Sequence, residues 1–368
     1  MSISGRELIR VMDDYASPKY AWAKDRIGLQ VGNPDAEVKG ILVTLDVTEA
    51  VVDEAIQKGA NWIVAHHAVI FHPLTHLRTD LPAGRLMAKL MKHDLQVFIA
   101  HTNLDATEGG VNDVLAEKLQ LEETRVLVTE GTEKLKKLVV FVPMDHHEKV
   151  LQAMGEAGAG WIGNYSHCTF NVQGIGTFLP QEGSNPFIGK QGELEKVEEI
   201  RLETIITERN QHQVVRAMLQ AHPYEEVAYD IYPLDLNGAE WGYGKIGRLK
   251  QSMTLKELAE KVKRVYRISG LRMVGDPNKL VEKVAILGGS GARYFMDAKR
   301  KGADVYITGD IDFHTAQDAL AAGMCLIDPG HHVEHLVVER ICQVLKEKWG
   351  EKVPVYASQI DTNPFSFV

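Results

Sequence analysis

The chain has 368 residues, a formal net charge of −9, 45% hydrophobic and 25% charged residues. That is room for roughly two domains of about 100–200 residues, each with a core large enough to fold without staples. The acidic balance argues against a sequence-blind nucleic-acid binder, no apolar run approaches the ~20 residues of a membrane span, and Cys168, Cys325 and Cys342 are too few and too far apart for a disulfide scaffold or a thiolate zinc finger.

The N-terminal segment MSISGRELIRVMDDY is acidic and lacks the apolar stretch of a signal peptide, so the expected compartment is the reducing cytoplasm. Gly40–Asp46 reads as a strand. Thr48–Lys58 reads as a helix, with Val51, Val52, Ala55 and Ile56 on one face and Gly59 as its stop. A second apolar run, from Asn61 to Ala65, ends in His66 and His67, and His72 follows. A helix over Gly84–Asp94 and a strand over Leu95–Ala100 come next. Strands that alternate with helices imply crossover connections and a largely parallel sheet.

The middle of the chain has another grammar. Lys137–Met154 and Arg201–Met218 align as two strand–turn–helix units, and HPYEEVAYDIYPL (His222–Leu234) continues the second as a strand. Two such units in tandem predict an inserted ferredoxin-like α+β domain over 130–236, leaving 1–129 and 237–368 as a discontinuous α/β core. The Gly/Pro-rich GSNPFIGKQGE between the units is a loop. In the last third, strands are expected at Val284–Leu287, in KGADVYITGD (Lys301–Asp310), in MCLIDPGHH (Met324–His332) and at Val353–Ala357. KGANWIVAHH and KGADVYITGD both set Lys-Gly-Ala before a strand that ends in polar residues, which suggests two related α/β halves.

Three polar clusters follow strands of this core: His66-His67, His101 with Asp105, and His331-His332 with Glu334. Ligands collect beyond the carboxyl ends of strands in open α/β sheets. Histidine with carboxylate suits zinc, manganese or iron. Neighbouring strand residues point to opposite faces, so His66 and His67 can reach different ions, and Asp105 has two oxygens with which to bridge ions about 3.5–4 Å apart. His331 and Glu334 share a face if a helix starts after the DPG turn. The same residues also fit a polar loop, a helix cap at Asp105 and a solvated helix start at 331–335. GGSG (Gly288–Gly291) lacks the P-loop lysine and the dinucleotide fingerprint and reads as a tight turn. TGDIDFH offers Asp310 and His314 for hydrogen bonding to a ligand or for acid–base work.

DRIGLQVG (Asp25–Gly32), VAHHAVIF, AHTNLDA, GGSG, TGD and GHHVE, in this order, resemble the Nif-three-like family, whose members carry the name GTP cyclohydrolase type 2 homolog. GNYSHCTF, NPFIGK and HPYEEVAYDIYPL resemble the long bacterial subgroup with a PII/CutA-like insert. The resemblance implies an α/β core whose two halves hold two divalent metal ions. It implies His66, His67, Asp105 (as the bridge), His331 and Glu334 as ligands, with His335 the alternative to Glu334, and His101 as a weak ligand or neighbour. It further implies a homohexameric ring. The expected function is metal-dependent hydrolysis of a nucleotide-like or cyclic amide substrate, with His101 or His314 moving the proton. The alternative is a non-catalytic metal-binding regulatory or ligand-sensing protein.

Overall fold

Helix-to-strand reversals in this chain reuse one device. The helix Glu49–Lys58 starts at Thr48, whose hydroxyl accepts from the Val51 amide, and stops at Gly59, which has φ 67°. The Ala60 amide then reaches back to the Ala55 carbonyl. Gly302 (φ 78°) follows the helix Phe295–Arg300, and Ala303 reaches back to Ala298. A left-handed residue that satisfies the last carbonyls is what glycine supplies at a helix end. The shared Lys-Gly-Ala is thus a helix stop placed just before a buried strand, Trp62–Ala65 in one case and Val305–Ile307 in the other.

The computed structural model describes residues 2–367 and divides the chain into two units, Met1–Glu130 with Trp241–Val368, and Gly131–Glu240. It is a mixed α/β fold with two sheets. In the first unit one sheet has the order Gly28–Val31, Gln96–Ile99, Trp62–Ala65, Ile41–Thr44, Val355–Ala357. All its pairings are parallel except that of the edge strand Gly28–Val31. The strand Val355–Ala357, expected to belong with the last third, joins the first sheet instead. The helix Val337–Trp349 buries Ile341 and Leu345 in the core and delivers the chain to the edge of Ile41–Thr44.

The second set of strands in this unit runs from the end of Tyr229–Thr254 through Leu280–Ile286, Val305–Ile307 and Cys325–Asp328 to Arg272–Val274. The three middle strands are parallel, and the outer two antiparallel. Trp62, Val64 and Phe98 of the first sheet share one buried cluster with Val284, Ile286, Ile307 and Ile327 of the second. The strands Ile41–Thr44, Trp62–Ala65 and Gln96–Ile99 are buried at every position, as expected where parallel strands are covered on both sides.

In the other unit the strand order is Thr169–Phe178, Glu195–Thr207, Glu122–Pro143, Tyr229–Thr254, the last two long strands belonging partly to each unit. Helices His147–Glu156 and Gln211–Ala221 bury Val150, Met154, Val214 and Met218 against Leu138, Val140 and Leu202. No helix among the described residues is long and apolar enough to cross a membrane.

Candidate metal centre

His66 and His67 lie just past the last residue of the strand Trp62–Ala65, their amides held by the Thr44 and Leu45 carbonyls of the neighbouring strand region. Asp105 sits in the short helix Thr102–Ala106 after Gln96–Ile99. His331 and Glu334 lie three apart in the 3₁₀ helix His331–Leu336, where side chains at that spacing eclipse. Residues separated by more than 260 positions therefore meet: His67 Nε2 is 3.0 Å from Glu334 Oε2.

One arrangement recurs around each histidine. His66 Nδ1 donates to the Ala100 carbonyl at 2.8 Å. His67 Nδ1 is 2.7 Å from Asp46 Oδ1, His101 Nδ1 is 2.9 Å from Asp25 Oδ1, and His331 Nδ1 is 2.7 Å from Asp310 Oδ2. Each outer acceptor fixes the proton on Nδ1 and turns Nε2 inward, as for histidines that bind metal. Two overlapping trios result, His66–Asp105–Glu334 and His67–His331–Glu334, and His101 adds a third group with His66 and His67. Within each, the candidate ligand atoms lie within 4.8 Å of one another.

Glu334 Oε2 is the shared corner, 3.6 Å from His66 Nε2, 3.0 Å from His67 Nε2 and 3.2 Å from His331 Nε2. Asp105 was expected in that place; its Oδ1 is 3.6 Å from His66 Nε2 and belongs to one trio. His66 Nε2 and Asp105 Oδ1 are both buried without a hydrogen-bond partner. Such an orphan costs about 1–3 kcal/mol. Two atoms whose lone pairs face each other, with no proton donor between them, fit a cation there. These buried histidine and carboxylate groups can hold a metal ion.

The electrostatics agree. Burial pushes His66 down to about 3, so its Nε2 lone pair is free. Burial also works against a charged His67, but hydrogen bonds to Asp46 and Glu334 outweigh it and carry the group to about 10. The hydrogen bond to Glu334 is the main reason that His331 rises to about 9. Burial opposes ionisation of Glu334, yet its histidine neighbours hold it below the usual carboxylate range. Asp105, buried beside that charge, is pushed well above it. Asp25 stays low despite burial because His101 and Thr102 donate to it.

Several residues singled out by sequence stand elsewhere. His72 is exposed and packs edge-on with Phe71 at 5.0 Å. His314 is exposed on the helix Phe313–Ala321 against Phe313, and the structure does not bring it to the cluster. His335 donates through Nδ1 to the His332 carbonyl, and Glu334, not His335, joins the group. The GGSG turn approaches the site through its backbone. A Cβ on Gly289, which has φ +64°, would lie 2.4 Å from Glu334 Oε1 and 3.2 Å from His331 Nε2. The supporting roles of Asp25 and Asp46 escaped the sequence reading, although Asp25 opens DRIGLQVG and Asp46 closes the run ILVTLD. Asp310, noted beforehand as a hydrogen-bonding candidate, holds His331 from a left-handed backbone at φ 56°, a conformation that aspartate tolerates better than most residues.

Fold and site together define the class: an α/β protein whose strands deliver a buried histidine–carboxylate cluster able to hold metal. The model of the family Duf34/NIF3 (NGG1p interacting factor 3) matches residues 3–364, and the chain belongs to this family. A Bacillus subtilis protein named GTP cyclohydrolase 1 type 2 homolog is 50% identical over 370 residues, covering 100% of this chain and 99% of its own. A Listeria innocua protein of the same name is 40% identical, covering 99% of each. Among solved structures, a Bacillus cereus protein related to NIF3 superposes with a TM-score of 0.91 at 50% identity, covering 100% of both chains. Staphylococcus aureus protein SA1388 gives 0.72 at 31% identity, covering 100% of this chain and 99% of that one.

Proposed function

We propose that this chain holds two divalent ions, zinc before manganese or iron, and is a metal-dependent hydrolase of a nucleotide-like or cyclic amide substrate. The observation that carries the reading is the pair of trios that share Glu334 while every contributing imidazole is anchored through Nδ1. Bound divalent ions supply Lewis-acid activation of water and of a C=O, C=N or P–O acceptor.

The chain's own residues do the rest. His101, held by ionised Asp25, faces the cluster with Nε2 and is the group placed to carry a proton. His314, exposed and outside the cluster's three groups, is the weaker candidate for that role. The Arg293 guanidinium, 4.8 Å from the Trp22 ring and 4.7 Å from the Tyr294 ring, offers a cation and an aromatic face suited to a nucleotide. The Trp22 amide donates to Thr102 Oγ1, beside His101. Ring-opening of GTP at its imidazole carbon, suggested by the relatives' names, is one such hydrolysis.

A second reading, a non-catalytic metal-binding or ligand-sensing protein, is favoured by the insert. Its two strand–helix–strand units and strand order support a ferredoxin-like domain of the PII/CutA kind. A cytoplasmic homohexamer is proposed with either reading. Nucleotides, phosphoesters and cyclic amides assayed with Zn²⁺ or Mn²⁺ separate the two readings. Metal-dependent turnover lost on chelation supports the hydrolase. Saturable binding without turnover across the panel supports the sensor.

A further inference from the structure

Beyond the strand Val355–Ala357 the chain is tied down residue by residue. Ser358 Oγ donates to Glu54 Oε2 at 2.6 Å and the Gln359 amide to Glu54 Oε1 at 3.0 Å. Glu54 is only 8% exposed, so these bonds satisfy a buried carboxylate and fix the exit of the tail. Thr362 Oγ1 then donates to Asp46 Oδ2 at 2.6 Å, and the other oxygen of Asp46 accepts from His67 Nδ1 at 2.7 Å. The same threonine hydroxyl lies 3.3 Å from His332 Nε2, and His332 stacks on His335 with ring centroids 4.8 Å apart. Further on, Phe367 packs on Gly270 so closely that a Cβ there would lie 2.5 Å from the phenyl ring. The tail thus runs from the edge of the first sheet, past the cluster, to the loop after the helix Leu255–Tyr266.

We propose that the C-terminal segment Ser358–Phe367 is a strap that positions the metal-facing histidine His67 through Thr362 and Asp46. An aspartate held by one bond can rotate. Once Thr362 ties one oxygen, the other is aimed at Nδ1 and keeps Nε2 directed at Glu334. Thr362 is a positioning residue that acts on His67 through Asp46. The inference rests on the metal reading of the site.

The test uses the full chain, with Thr362→Val removing the hydroxyl at nearly constant shape and Thr362→Ser retaining it. Zn²⁺ affinity is measured by competition with a chromophoric chelator. The exchange protection of the His67 Nδ1 proton is measured by NMR on the metal-free protein. T362V is expected to weaken one ion about tenfold and to expose the Nδ1 proton to exchange, while T362S restores both. Unchanged affinity and protection in T362V, or failure of T362S to rescue, overturns the strap. If the wild-type chain takes up no Zn²⁺, the metal reading is what fails, and the NMR arm alone decides the strap.

Discussion

Two buried histidines, one in each unit, mark the difference between structure and function. His222, 7% exposed, donates through Nε2 to the Phe141 carbonyl at 3.0 Å and accepts at Nδ1 from the Tyr224 amide at 3.1 Å. Both ring nitrogens are satisfied, and the residue ties a helix end to a strand. His66, 0% exposed, satisfies Nδ1 and leaves Nε2 facing an equally orphaned carboxylate oxygen. Buried polar atoms in folded proteins are nearly always paired. One imidazole is therefore complete as it stands, and the other has a nitrogen free for a guest.

Substitutions sharpen that contrast. Apart from the shared corner Glu334, the largest effect is expected from Asp105→Ala, which removes the orphan's counterpart: metal analysis of the loaded protein should show at least one ion lost. An unchanged metal content would refute its role as ligand. Gly289→Ala comes next, since its Cβ would press on Glu334 Oε1 from a left-handed backbone. It should weaken metal binding in a chelator titration while Asp105 remains in place. His222→Ala leaves a part-buried carbonyl and amide unpaired and should cost about 1 kcal/mol in denaturant unfolding, with metal content unchanged.

The smallest effect is in pH. His67 and His331 are charged in the metal-free protein up to about 10 and about 9. Their ion pairs stabilise that form fully below the ordinary histidine range, and the contribution is lost as pH rises through those values. Metal must displace these protons, so binding near neutral pH should release more than one proton per chain and weaken as pH falls. Calorimetry in buffers of different ionisation enthalpy reads this directly. Binding that is independent of buffer would remove both histidines from the ligand set.

Much of this was legible beforehand, for identifiable reasons. Mixed α/β architecture follows from helix stops such as Gly59 and Gly302 placed ahead of apolar strands, a signal carried by local sequence. Family membership followed from six short motifs kept in order. The convergence on Glu334 was not legible. Period-two alternation lets His66 and His67 diverge, but both lie past the strand's end, where turning backbone replaces alternation. Asp25, Asp46 and Thr362 were silent because their partners are far away in sequence, with Thr362 316 positions from Asp46. Nothing in one dimension marks a carboxylate as the holder of a distant imidazole.

The most direct test of the account is a count of ions. Metal-free wild-type chain and its Glu334→Gln variant would be loaded with Zn²⁺, freed of excess and analysed for metal per chain. Two trios with a common corner predict two ions in the wild type and loss of both in the variant. No retained zinc in the wild type, or the same content in both proteins, would contradict it.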